Sequence, residues 1–94
     1  MSREYTDERI DEVLAIIKAE FIRATRKHPA FNSNYEGFAV MKKQLDDAWK
    51  DIKCRDADGA VRRSIKLAAM GMRFFYDLVE PNKIHSIKTI YGLK

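Results

Sequence analysis

The apolar residues of this chain fall into three segments of helical period, separated by two short polar breaks. In the first, Ile10, Val13, Leu14, Ile17, Phe21 and Ala24 recur at three- and four-residue steps, the spacing that gathers side chains on one side of an α-helix. Thr6 followed by Asp7 and Glu8 supplies an N-cap with acids in the first turn, and Arg23, Arg26 and Lys27 collect at the far end, where the helix dipole favours positive charge. The pattern predicts a helix over 7–27. Pro29 has no amide hydrogen and biases His28 away from helical angles, so that helix stops near Lys27.

Ser33 with Glu36 three residues on has capping-box spacing. The serine oxygen is expected to accept from the Glu36 amide, and the Glu36 carboxylate to reach back to the Ser33 amide. From that cap a helix is predicted over 34–53. Phe38, Met41, Leu45, Ala48, Trp49 and Ile52 share one side of it, which reads as core with Trp49 buried. Glu36, Gln44, Asp47 and Asp51 fall roughly opposite, with Lys43 beside them, and form the stripe where chemistry would sit.

The segment CRDADGA supplies a turn, with Asp56 or Asp58 as the next cap, and a third helix is predicted over 58–79. The short link makes the second and third helices antiparallel neighbours. Helix three carries two apolar stripes: Val61, Ile65, Ala68, Met72, Phe75 and Val79 on one, Leu67, Met70, Phe74 and Leu78 on the other. Such a helix needs cover from two sides, and a second copy is the economical source, so a homo-oligomer, most simply a dimer with this helix central, is expected. Ala68, Ala69 and Gly71 would permit close approach. A narrow polar face holds Arg62, Lys66, Arg73 and Asp77, with Arg63 adjoining. Pro81 ends the helix, and the basic tail 82–94 suits either a short helix or an extended segment.

Composition agrees with an all-α reading. Four glycines and two prolines in 94 residues leave little material for a turn-dense β fold, and 46% hydrophobic with 34% charged residues is globular. The length suits one domain over 1–94. The single cysteine, Cys54, excludes an intrachain disulfide and a cysteine-based zinc site of its own. With neither a signal-peptide pattern nor an apolar run of the ~20 residues that span a bilayer, no membrane association and a cytoplasmic location are expected. A net charge of +4 favours phosphate, nucleic acid or an acidic protein surface. The cluster Arg23, Arg26, Lys27 and His28 reads either as phosphate contacts or as compensation of the helix dipole. No Ser-His-Asp arrangement, phosphate-cradling glycine loop or Cys/His metal spacing occurs.

The phrase FNSNYEGFAV, followed by LDDAW and SIKLAAMGMRFFYDL, resembles the small MazG-like all-α nucleoside triphosphate pyrophosphohydrolases of phage and bacterial genomes. In that family FNS-x-HEGYAV leads into EE-x-DELW, and a later helix reads roughly EA-x-Q-x-AAMA-x-RF. The resemblance covers about residues 12 to 79. It implies a MazG-like bundle of three main helices completed by oligomerisation, and a Mg²⁺ site built from carboxylates on two helices. Aligned on Trp49, the paired glutamates of the family fall on Lys43 and Gln44, and the acidic pair downstream on Asp46 and Asp47. Aligned on Ala68, Ala69 and Met70, the acid opening the third helix falls on Arg63 and the following polar position on Lys66; Tyr35 stands where relatives carry histidine.

Lysine and arginine cannot ligate a metal at neutral pH. The resemblance, with these departures, therefore implies a catalytically degenerate domain without a cofactor, binding a phosphorylated nucleotide, nucleic acid or acidic partner through Lys43, Arg62, Arg63 and Lys66. The alternative is an active Mg²⁺-dependent pyrophosphohydrolase with Glu36, Asp47 and Asp51 as metal ligands. A second alternative is a protein–protein interaction module, in which Asp46 and Asp47 only pair with Lys50, Lys43 and the basic residues of helix three. No catalytic residue is assigned.

Overall fold

The computed structural model describes residues 4–94, and every regular element among them is helical: α1 (Asp7–Lys27), α2 (Asn34–Lys53), α3 (Ala57–Leu78), a 3-10 turn (Pro81–Lys83) and α4 (Ile84–Ile90). The caps follow from the sequence. Thr6 Oγ1 accepts from the Arg9 amide at 3.2 Å, and Ser33 Oγ accepts from the Glu36 amide at 3.1 Å. The return arm of the box shifts by one residue, because the Glu36 carboxylate meets the amide of Asn32, at 3.4 Å, and not that of Ser33. Asp56 is the third cap, its Oδ1 accepting from the Gly59 amide at 2.9 Å, so α3 starts one residue earlier than predicted and also ends one earlier. Between α2 and α3 the chain reverses through Arg55, whose φ of 59° lies in the left-handed region.

α2 and α3 form the antiparallel hairpin, and α1 also lies on α3, but the backbones of α1 and α2 do not pack on each other. The core sits along α3. Ala24, Phe31, Ala69 and Met70 are buried, with Ile17, Phe21, Val40, Met41, Phe74 and Leu78 packed around them. Gly37 is where α2 comes closest to its neighbour: a Cβ there would stand 2.5 Å from Phe74 Cδ2. The tail resolves into the 3-10 turn and α4, which pack on each other and on none of the long helices.

Of the expected core face of α2, Met41 and Ala48 turn inward and the rest does not. Trp49 is 57% exposed, and Phe38, Leu45 and Ile52 are exposed with it. Gly37, Val40, Gln44, Asp47 and Asp51 face inward instead. The close approach to α3 is made at Gly37, which leaves room for Phe74, and on the same inward side Arg63 of α3 stands 3.8 Å from Asp47 and 3.6 Å from Asp51, so the apolar stripe lies on the flank. On α3 the stripe of Met70, Phe74 and Leu78 points inward, and Val61, Met72 and Phe75 point out. No helix among the described residues is long and apolar enough to cross a membrane.

Candidate ligand cleft

Pro29 forces the chain out of α1, and Arg73 fixes where it goes. The guanidinium Nη2 donates to the Pro29 carbonyl at 2.6 Å and to the His28 carbonyl at 3.3 Å, and the group stacks 4.7 Å from the Phe31 ring centre. Asp77, one turn along α3, lies 3.9 Å from the same nitrogen and accepts the Phe31 amide at 3.0 Å. Arg73 is only 2% exposed. A charged group buried so deeply persists because backbone carbonyls, a ring face and a carboxylate replace its water.

The loop held in this way closes one end of a cleft of about 320 Å³ that opens where α1 and α2 fail to meet. Glu20, Arg23 and Ala24 form its α1 wall, Val40 and Gln44 its α2 wall, and Lys66, Met70 and Arg73 its floor, with Glu36 at the rim. Arg23 forks onto Glu20, with contacts of 3.0 and 2.7 Å. That hydrogen bond holds the Glu20 carboxyl below its ordinary range, with the charges of Arg23, Lys66 and Lys27 acting in the same direction, and it raises Arg23. Two buried polar atoms on the cleft walls, Gln44 Oε1 and Arg73 Nε, have no hydrogen-bond partner. Leaving such atoms unpaired costs about 1–3 kcal/mol each.

Along the same α2/α3 seam lies a smaller cleft of about 180 Å³, lined by Asp51, Asp56, Gly59, Arg62, Arg63 and Lys66. Arg63 bridges two acids there, with Nη1 3.8 Å from Asp47 and Nε 3.6 Å from Asp51. Asp47 also accepts from Lys43 Nζ at 3.0 Å; this bond, helped by the charges of Arg63 and Lys50, lowers its pKa. Arg62 stands 4.0 Å from Asp56 at the rim.

Of the cations expected to meet an anion, Arg62, Arg63 and Lys66 share this seam, and Lys66 lines both clefts. Lys43 is turned outward against Asp47. The expected ligand set Glu36, Asp47 and Asp51 does not converge. At a rise of about 1.5 Å per residue, α2 places Asp47 about 16 Å and Asp51 about 22 Å from Glu36, whereas Mg²⁺ holds its oxygens at about 2.1 Å. No group of three or more acids, histidines or cysteines suited to a metal occurs among the described residues. Asp46 pairs on the outside with Lys42, at 2.8 Å.

The sequence reading missed the cleft roles of Glu20 and Arg73, whereas Arg23 and His28, which it set in a cluster read either as phosphate contacts or as dipole compensation, both line the cleft. One signal for Arg73 was present: a cation and an acid one turn apart, Arg73 and Asp77, in an otherwise apolar stretch of α3. Compared with protein-family profiles, curated proteins and solved structures, the chain matches none.

Proposed function

We propose that this is a MazG-like helical domain that binds a phosphorylated ligand, of the nucleotide class, in the cleft between α1 and α2, using fixed side-chain cations where related enzymes use a metal. Lys66 carries the reading. It lies half-buried on the floor of the larger cleft and in the lining of the smaller, at a position where the resemblance calls for a metal-site polar group, and it forms no ion pair among the described residues. Arg63, at the matching acidic position, adds charge on the same seam. The cleft volume is at the lower end of the range of small-molecule sites, about 300–1,000 Å³.

Thermal shift with a panel of nucleoside triphosphates in EDTA is the test. A ligand that binds only the folded chain raises Tm, and the rise should occur without divalent metal and be smaller in Lys66→Gln at the same ligand concentration. One observation favours an enzyme instead: Asp47 and Asp51 stand one turn apart on the seam. Metal-dependent pyrophosphate release abolished by Asp47→Asn would establish that activity, and absence of both binding and turnover would leave a protein-interaction module.

A further inference from the structure

We infer that the end of the bundle where α1 finishes and the tail begins is a binding surface for single-stranded nucleic acid. Two stretches of sequence without an acid, 21–35 and 81–94, carry Arg26, Lys27, Lys83, Lys88 and Lys94. The structure brings both to one place. Arg73 holds the His28 and Pro29 carbonyls, and Asp77 accepts the Phe31 amide, so the loop that follows α1 lies against the last turns of α3. α3 ends at Leu78, one residue beyond Asp77, and the tail leaves from there.

Little at this end neutralises the cations. Asp77 faces Arg73, the Glu36 carboxylate is on the Asn32 amide, and among the described residues none of the five cations is in an ion pair. Glu80, in the link to the tail, is the remaining acid. The dipole of α1 favours cations in its own last turn, but it does not account for the lysines of the tail. α1 itself begins with Asp7, Glu8, Asp11 and Glu12, so charge is segregated along it, and a polyanion is steered to the far end. Exposed rings choose among polyanions. Tyr35 at the start of α2 is 87% exposed, Tyr76 beside Asp77 72%, and Tyr91 in the tail 75%. Unpaired bases stack on such faces whatever their sequence, whereas lipid headgroups and acidic peptides bring no bases to stack.

The surface does not depend on the reading of the cleft, because none of these five cations and three tyrosines lines it.

Fluorescence anisotropy of the full chain with a labelled oligothymidylate of about 16 nucleotides, in EDTA, is the test. Binding is expected, and a rise in salt of about four-fold should weaken it by roughly 20- to 100-fold, as neutralising about three to five phosphates requires. Arg26→Gln, Lys27→Gln and Lys83→Gln together should weaken it by about ten-fold or more. The equal loss of charge in Lys42→Gln, Lys50→Gln and Lys53→Gln, on α2, should change it by about two-fold at most. Tyr35→Ala with Tyr91→Ala should weaken binding and leave the salt slope unchanged. All these positions are exposed, so each variant should keep its helical circular dichroism and its thermal shift with triphosphate, and the two sites stand or fall separately. No binding at low salt, equal losses from the two sets of cations, or binding to duplex DNA or to phosphatidylserine vesicles as tight as to the single strand would each overturn the inference.

Discussion

The Arg73 guanidinium stacks 4.7 Å from the centre of the Phe31 ring, tying the middle of α3 to a loop more than forty residues earlier. Remove the cation and two carbonyls, a ring face and the buried side of Asp77 lose their partner together. Arg73→Met should therefore cost about 2–4 kcal/mol in urea unfolding. Arg73→Lys should recover less than half of it, because an ammonium cannot stack flat on the ring and fork at once.

Arg55 holds a left-handed backbone at the α2 C-terminus, with its amide on the Ile52 carbonyl at 3.1 Å and the Asp56 amide on the Asp51 carbonyl at 2.8 Å. Glycine takes that conformation without a Cβ penalty. Arg55→Gly is expected to stabilise the chain by about 0.5–1 kcal/mol, read as a higher melting midpoint with unchanged helix content.

Acid should weaken the fold through Glu20 and Asp47. Both carboxyls are held below their ordinary values in the folded chain, Glu20 by the Arg23 fork and Asp47 chiefly by Lys43. In that range the unfolded chain binds more protons, so the stabilisation is full above the ordinary carboxylate range and is lost as pH falls through the folded values. Urea midpoints measured downward from pH 6 should fall below pH 4.5, and Glu20→Gln with Asp47→Asn should flatten the slope.

Among the cations of the seam, Lys66 should matter most for an anionic ligand. Lys66→Gln is expected to lower triphosphate affinity by about ten-fold or more, whereas Arg62→Gln, exposed and at the rim beside Asp56, should change it by about two-fold. Calorimetric titration in low and high salt separates the two, since screening removes exposed contacts first.

The helices were legible because caps and period are local. Thr6, Ser33 and Asp56 each accept from the amide three residues on, and that geometry is written in consecutive residues. Which face of α2 turns inward was not legible. Periodicity says that Phe38, Leu45 and Trp49 lie together, but their orientation depends on what another helix presents, here Phe74 against Gly37 and Arg63 opposite Asp47 and Asp51. The same limit hid the cleft. Glu20, Gln44 and Arg73 are brought together only by the way three helices lean, whereas Lys66 was singled out through the resemblance alone, which aligned it with a polar position of that family's pattern.

Among the described residues no side-chain hydrogen bond or ion pair runs from α1 to another helix; it rests on α3 through Ile17, Phe21 and Ala24, with Phe21 edge-on to Tyr76 at 5.7 Å. Immediately after it, the His28 and Pro29 carbonyls are pinned by Arg73. Of the three long helices α1 is the one held by apolar contact alone, so its amides should exchange with solvent ahead of those of the α2/α3 hairpin. Faster exchange there would mark the α1 wall of the cleft, Glu20, Arg23 and Ala24, as its least anchored side.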